Sequence, residues 1–248
     1  METQKEVVKI SILTPSRSRS KRLNNFIESV YENCECPDTV EMINYIDDDD
    51  DEILDYQNYE KNFKNKFPKF LNIKNYYLEA LSVSNSWNVL AKNSLGDIFI
   101  MGNDDLIYTT YGWDKILKEE TKKYRDQIYL MWFNDGVKKN THASFPIVSR
   151  AWYNTLGYFT PGCFNFGRND AWLFQIALYL RRAHYIENVK IEHISFKTDM
   201  KYWDSTYARN RTEEKGNLYK LDKIIWDNTH YQRIKDTLKL IDAIENFK

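Results

Sequence analysis

The sequence has few of the residues that mark disulfide-rich, membrane-spanning or strongly basic proteins. It contains three cysteines, and 35 Lys and Arg residues nearly balance 36 Asp and Glu residues, for a net charge of -1. This balance excludes a protein held to nucleic acid mainly by bulk positive charge, while a local basic groove stays open. The longest apolar runs, such as Ile98 to Met101, fall far short of the roughly 20 residues that cross a bilayer, so no transmembrane segment is expected.

The cysteine pattern indicates a reducing compartment. Cys34 and Cys36 are too close for an ordinary disulfide, and Cys163 leaves an odd number. A zinc site is not expected, because Cys34 and Cys36 lack the two-residue spacer of common zinc motifs and no histidine lies nearby. The charged start, Met1 to Lys9, leads straight into a strand-like run, unlike a signal peptide. We therefore expect a cytoplasmic location.

The chain has enough apolar residues for one sizeable core. Of its 248 residues, 42% are hydrophobic and 15% aromatic, and these occur along the whole sequence, which excludes a disordered chain. The spacing of apolar residues predicts strands alternating with helices, which is typical of an α/β protein with a mostly parallel sheet. Residues 58–75 have no clean period and are interpreted as a variable connection. Strands are predicted at Val7 to Leu13, Val40 to Ile46, Ile98 to Met101, Ile128 to Phe133 and Phe145 to Ser149.

Beyond His193 the sequence becomes polar and helical. The simplest division is an α/β domain at residues 1–200 and a helical extension at residues 201–248 that packs on it. Basic residues of the extension, such as Arg209 and Arg211, leave open a role in an acceptor groove or a homodimer contact, beside the simpler interpretation of a solvated helix face.

Two acidic pairs directly follow predicted buried strands. Asp47 and Asp48 follow the second strand, and Asp104 and Asp105 follow the strand Ile98 to Met101. Ligands of open α/β sheets bind beyond the carboxyl ends of the strands, so a parallel sheet would bring both pairs to one edge. Like charges there need compensation, and carboxylate oxygens suit Mg²⁺ or Mn²⁺, which share their remaining positions with phosphates.

A series of motifs resembles the GT-A fold glycosyltransferases, especially the large family 2 type. The family has an opening strand ending in a Thr-Pro-like turn, an Asp after the second strand, and Asn and Gly before a hydrophobic strand and Asp-x-Asp. This sequence has Ile10 to Arg19 (ISILTPSRSR), Ile43 to Asp48 (INYIDD), Asn88, Gly96 and Ile98 to Asp105 (IFIMGNDD). Gly167 to Trp172 (GRNDAW) stands where the family has Glu-Asp. The resemblance covers roughly residues 8–195 and implies a Rossmann-like, mostly parallel sheet flanked by helices.

The resemblance implies a metal-dependent hexosyltransferase that takes its sugar from a nucleotide-sugar, a UDP-sugar rather than a GDP- or dTDP-sugar. Asp105 and His193 would hold Mn²⁺ or Mg²⁺. Asp170 would be the general base in an attack that inverts the anomeric carbon. Two residues depart from the family pattern, because Asn103 replaces the first Asp of Asp-x-Asp and Asn169 replaces Glu. Donor contacts are expected from Thr14, Arg17, Arg19, Asp47, Asp48, Asn88, Asp104 and Trp172.

Simpler interpretations stand beside these assignments. His193 can be a structural histidine, Asp170 a helix cap, and Arg17 and Arg19 a basic helix start. A nucleotidyltransferase is a second enzyme class with carboxylates at a sheet edge, but its glycine-rich opening loop is missing from Leu13 to Arg17. A non-catalytic nucleotide-sugar binder is the third. The acceptor hydroxyl can belong to a glycan, a lipid-linked sugar, a protein or a modified nucleobase.

Overall fold

The computed structural model describes residues 7–212 and 217–247 as an α/β structure. One eight-stranded sheet has the order β3-β2-β1-β4-β7-β6-β8-β5. The strands are β1 (Ile10–Ser16), β2 (Val40–Asp47), β3 (Asn72–Leu78), β4 (Ile98–Met101), β5 (Leu106–Tyr108), β6 (Leu130–Asn134), β7 (Ile147–Ser149) and β8 (Ala183–His193). The helices are α1 (Ser20–Glu32), α2 (Ile53–Glu60), α3 (Phe63–Lys66), α4 (Val83–Lys92), α5 (Trp113–Thr121), α6 (Arg150–Leu156), α7 (Asn169–Leu180), α8 (Ser205–Arg211), α9 (Leu218–Asn228) and α10 (His230–Glu245).

Strands β3, β2, β1 and β4 form a parallel half-sheet. In the middle of β1, Leu13 pairs with Ile43 of β2 on one side and with Met101 of β4 on the other. Every residue of β2 and β4 is buried, as expected for parallel strands that are covered on both faces. Because the three strands are in register, the residues that follow each of them meet at one edge of the sheet.

The other half of the sheet is mixed. Strand β7 runs antiparallel to both β4 and β6, and β8 runs parallel to β6. The short strand β5 pairs antiparallel with β8, which places Leu106 opposite His193. The backbone N–H of Ile194 also donates to the Asp105 carbonyl at 2.8 Å. This pairing brings the end of β8 beside the turn that follows β4.

Apolar side chains pack on both faces of the sheet. One buried cluster includes Phe26 of α1 and Trp113 of α5, and the other includes Trp87 of α4, Trp152 of α6 and Trp172 of α7. Helix α10 packs against α7 and α6. The molecule therefore has three layers, helices on either side of a sheet, with the C-terminal helix added to one outer layer.

The predicted α/β class and mostly parallel sheet are confirmed. The strand predicted at Ile98 to Met101 is β4 with the same bounds, and the other four predicted strands occur with shifted ends. Three further strands, β3, β5 and β8, have no counterpart among the predictions. The interpretation of residues 58–75 as a connection misses the end of α2, the whole of α3 and the start of β3. Strand β3 is an edge strand with only one buried residue, Asn75. No helix among residues 7–212 and 217–247 is long and apolar enough to cross a membrane. Residues 1–6 of the charged start, and residues 213–216 and 248 of the predicted extension, lie outside the described part.

Candidate active site

A cavity of about 820 Å³ lies at the carboxyl edge of the parallel strands. Its wall comes from the ends of β1 and β2, the turn after β4, the segment before β7, the start of α7, the end of β8, and α8. Asp105 and Asp170 both line it. The two acidic groups that the sequence singled out therefore face one shared space.

The turn after β4 carries two buried carboxylates with different partners. Asp104 accepts hydrogen bonds from Ser16 Oγ at 2.7 Å and from Arg19 Nη1 at 2.9 Å. Asp105 Oδ2 accepts one from the hydroxyl of Tyr207 at 2.8 Å, and His193 Nε2 lies 3.6 Å away. Arg19 Nη1 also lies 3.7 Å from Asp105 Oδ2, so both carboxylates contact Arg19, and Asp105 in addition faces the imidazole of His193.

Burial and neighbouring charge act in opposite directions on these two carboxyl groups. Burial raises the pKa of Asp104 above its usual range, because the charge of Arg19 offsets the desolvation only in part. Burial opposes ionisation of Asp105 as well, but the contact with His193 and the charge of Arg19 hold its pKa below its usual range. Asp105 is the member of the pair that favours the ionised form.

The residues present fit a divalent cation at Asp105. Its Oδ1 is buried and has no hydrogen-bond partner among the described residues, which leaves one carboxylate oxygen for a ligand. An imidazole nitrogen and a carboxylate oxygen both suit Mn²⁺. The described residues contain no group of three metal-ligating side chains, so a cation here would take its other ligands from a bound molecule or from water.

A second ionic contact lies at the ends of β1 and β2. Arg17 Nη1 donates to Asp47 Oδ2 at 2.6 Å and also contacts the exposed Asp49. Arg17 and Asp47 line the cavity, while Asp48 is exposed and does not. Asn103, which replaces an aspartate of the family pattern, also lines the cavity.

Asp170 lies in the first turn of α7. Its Oδ2 is 2.8 Å from Nε2 of His142, and about a third of its side chain is exposed. An ionised carboxylate can only accept, so this contact requires a proton on Nε2. Phe174, one turn along α7, packs edge-on against the His142 ring at 5.1 Å between ring centroids. Arg168 occupies the N-cap position and no side chain caps the helix, so Asp170 is not its cap.

Asn169 lies on the same wall as Asp170. It is 2% exposed, and neither its amide nitrogen nor its amide oxygen has a hydrogen-bond partner among the described residues. Each unpaired atom of a buried amide costs about 1–3 kcal/mol, and both atoms of Asn169 are available to a molecule bound in the cavity.

Solved structures of known enzymes share this fold. The mannosyltransferase PcManGT from Pyrobaculum calidifontis, in complex with GDP-Man and Mn²⁺, has a TM-score of 0.60 at 12% identity, and the match covers 97% of this chain and 76% of that one. The TarS protein of S. aureus in complex with UDP-GlcNAc has a TM-score of 0.55 at 15% identity, over 75% of this chain and 58% of that one. The chain has the GT-A glycosyltransferase fold.

The likeness is one of architecture, because no family model and no curated protein matches the sequence. The chain spans 37% of a longer TarS chain, which it matches with a TM-score of 0.54 at 14% identity over 76% of its own length. The GT-A fold of this chain therefore accounts for only part of the TarS molecule.

Besides Asp48, three residues expected to contact the donor lie away from the cavity wall of this GT-A fold. Thr14 is fully buried in β1 behind Gly102, and Trp172 is 1% exposed and donates from Nε1 to the Tyr158 hydroxyl at 3.0 Å. Asn88 holds the backbone at residues 159–160, because its side-chain oxygen accepts both N–H groups at 2.9 and 3.0 Å. These side chains organise the fold around the cavity, and we assign them no direct donor contact.

Several cavity residues of the GT-A fold were missed by sequence reasoning. His142 belongs to no motif of the sequence, yet it touches Asp170. Tyr207, in the predicted extension, lines the cavity and donates to Asp105, and Asp204, outside the lining, contacts Arg19. The boundary expected at residue 200 thus separates residues that the structure joins in one wall. No spacing in the sequence indicates these contacts, since partners such as Arg19 and Asp204 are 185 positions apart.

Proposed function

We propose that this protein transfers a sugar from a nucleotide-sugar donor to an acceptor hydroxyl, with inversion at the anomeric carbon. One observation carries the proposal: the Asp105–His193 pair and the Asp170–His142 pair line the same cavity. The first pair would hold the cation that binds the leaving diphosphate. The second would accept the proton of the attacking hydroxyl. The neighbours of known structure, complexes with GDP-Man and with UDP-GlcNAc, support a nucleotide-sugar donor.

The donor end lies at the ends of β1, β2 and β4. Asp105 and His193 would hold Mn²⁺ or Mg²⁺, which would stabilise the negative charge that develops on the leaving diphosphate. Arg19 lies between Asp104 and Asp204 and fixes the acidic turn. Arg17 and Asp47 present a donor and an acceptor to the nucleoside, and a UDP-sugar is our preferred donor.

The acceptor end lies at the start of α7. The acceptor oxygen attacks the anomeric carbon from the face opposite the diphosphate, and the bond from that carbon to the phosphate oxygen breaks with its electron pair going to the diphosphate. The acceptor hydroxyl gives its proton to the Asp170 carboxylate. His142 holds one carboxylate oxygen, which leaves the other to receive the proton. Attack from the opposite face inverts the anomeric configuration.

The acceptor class is left to experiment, with a glycan, a lipid-linked sugar, a protein and a hydroxylated nucleobase as the candidates. The cytoplasmic location and the homodimer stay predictions from the sequence.

The test is nucleoside diphosphate release from a panel of UDP-, GDP- and dTDP-sugars, with Mn²⁺, with Mg²⁺ and with a chelator. We expect metal-dependent release from one donor class, and we expect Asp170→Asn to lower the rate by about 10²–10⁴-fold. Asp38→Asn, at an exposed residue outside the cavity, is the matched control. Tight donor binding without release would show a binding protein, and pyrophosphate release from a nucleoside triphosphate and a sugar phosphate would show a nucleotidyltransferase.

A further inference from the structure

The charged side chains on the cavity wall are not balanced. Among the described residues, seven cationic and four anionic side chains line the cavity, and Asp49 and Asp204, outside the lining, also pair with Arg17 and Arg19. The net charge of this group is +1 with histidines neutral, on a chain whose total is -1. The four carboxylates, at residues 47, 104, 105 and 170, all have partners described above. Five of the cations have no carboxylate within ion-pair distance among the described residues: Lys138, Arg168, Lys197, Arg209 and Arg211.

The donor does not account for this surplus. A nucleoside diphosphate sugar carries about two negative charges, and the divalent cation that accompanies it cancels them. The complex of donor and metal is therefore close to neutral. Its binding does not change the net positive charge of the wall. A further anionic group is needed to balance the wall when the site is full.

Two of the free cations are held in fixed positions against one aromatic ring. The guanidinium carbon of Arg211 lies 4.6 Å from the centre of the Tyr219 ring, and that of Arg168 lies 5.4 Å from the same ring. Arg168 comes two residues before Asp170 in the chain. Both Nε atoms are buried without a hydrogen-bond partner among the described residues. Burial lowers the pKa of Arg211 below its usual range, as expected where no carboxylate compensates the desolvation.

The Tyr219 ring is itself fixed against the segment that leads to α7. A Cβ atom on Gly167 would lie 2.9 Å from Tyr219 Cδ2, so the ring packs directly on that backbone. Both arginines also line the cavity, where their guanidinium N–H groups can meet a ligand. Lys138, Lys197 and Arg209 are exposed on the same cavity wall and add three flexible positive charges.

We propose that Arg168 and Arg211 bind a phosphate group of the acceptor, so that the hydroxyl glycosylated by this protein belongs to a phosphate-bearing molecule. The inference rests on the proposed function for the assignment of the acceptor end. A phosphate is favoured over a carboxylate because one guanidinium fork engages both oxygens of a carboxylate, whereas a phosphate offers oxygens to two forks. Arg168 lies two positions before Asp170 in the chain, at the acceptor end assigned above.

The test uses glycerol 3-phosphate as the probe, with glycerate as its carboxylate analogue and glycerol as its neutral analogue. Each is titrated by calorimetry into the full chain, first alone and then with saturating UDP and Mg²⁺. We expect glycerol 3-phosphate to bind in both conditions, glycerate to bind at least about tenfold more weakly, and glycerol not to bind. The same titration with bis(glycerol) phosphate distinguishes a phosphomonoester from a phosphodiester acceptor.

The variants Arg168→Gln and Arg211→Gln should each weaken the binding of glycerol 3-phosphate by about tenfold or more. Arg125→Gln removes the same charge from an exposed residue outside the cavity and should leave binding unchanged. Lys197→Gln removes a cavity charge that has no aromatic contact among the described residues. It measures how much the positive charge of the cavity contributes to the binding of glycerol 3-phosphate, even if Arg211→Gln fails to fold. Near-ultraviolet circular dichroism checks the fold of each variant.

Three results would overturn the phosphate site: competition between glycerol 3-phosphate and UDP, equal affinity for glycerate, or unchanged binding in both arginine variants. Competition would assign the two arginines to the donor diphosphate. Failure of UDP to bind, together with arginine-dependent binding of glycerol 3-phosphate, would contradict the proposed donor and leave the phosphate site standing. The two proposals can therefore fail separately.

Discussion

His142 Nε2 lies 2.8 Å from Asp170 Oδ2 on the wall of the cavity, although the two residues are 28 positions apart in the chain. Phe174 packs edge-on against the imidazole of His142. A carboxylate whose one oxygen is fixed has a defined direction for the other, which is what a general base requires of its geometry. We infer that His142 is a positioning residue for Asp170.

Replacing His142 should lower turnover without weakening donor binding. We expect His142→Ala to reduce kcat by about tenfold, the value of one hydrogen bond to a charged group, with KM for the donor little changed. His142→Gln keeps an N–H donor and should recover part of the loss. Steady-state kinetics of diphosphate release measures both effects. His230→Ala, at an exposed residue on α10, is the control, and an equal loss in the Ala and Gln variants would contradict a role based on the hydrogen bond.

Asp105 should couple nucleotide binding to the metal. In the unchanged protein we expect UDP to bind more tightly with Mn²⁺ than with a chelator. Asp105→Asn should reduce the ratio of the two UDP affinities by at least about tenfold, because it removes the charge of the carboxylate ligand. Calorimetric titration of UDP in the two conditions measures it, with Asp38→Asn as the control. A metal effect that survives Asp105→Asn would place the cation elsewhere.

The sequence was sufficient to predict one edge of this site and insufficient for the other. Asp47 and Asp105 could be placed together because parallel strands carry their following residues to a common edge, a rule that needs only local patterns. His193 came from the family resemblance, and its position follows from the β5–β8 pairing. The wall formed by α8 could not be predicted from the sequence. Tyr207 and Asp105 are 102 positions apart, and no local sequence pattern indicates that they are in contact.

The expected donor residues that do not line the cavity show the limit of motif reasoning: Thr14, Asp48, Asn88 and Trp172. Each lies in or beside a motif of the family pattern, but a motif marks a segment and not the direction of each side chain. Thr14 and Ser16 lie on the same face of β1 because they are two residues apart. Thr14 is fully buried against Gly102, whereas Ser16 is the last residue of the strand and reaches Asp104.

Asp222 of α9 should stabilise the segment that precedes α7. Its carboxylate accepts the backbone N–H groups of Asn165, Phe166 and Gly167 at 2.8, 2.7 and 2.6 Å, and it is fully buried. Asp222→Ala would leave these donors without a partner, and we expect a loss of about 3–5 kcal/mol in the free energy of unfolding. Urea denaturation measures it.

Asp227→Ala, on the same helix, removes an exposed partner of Lys223 and should cost less than about 0.5 kcal/mol. A similar loss in both variants would mean that Asp222 acts only through the helix and not through the segment at residues 165–167.

A side chain at position 96 should destabilise the fold, because β1 passes directly against Gly96. A Cβ atom there would lie 2.5 Å from Ser11 Oγ and 2.6 Å from the backbone nitrogen of Ser11. Gly96→Ala should therefore lower the free energy of unfolding by about 2–3 kcal/mol, measured by urea denaturation. Adding Ser11→Ala should not restore it, since the backbone nitrogen is as close as the hydroxyl. Gly162→Ala meets only the end of the Asn85 side chain and should cost less than about 0.5 kcal/mol, so equal losses at the two glycines would contradict this packing.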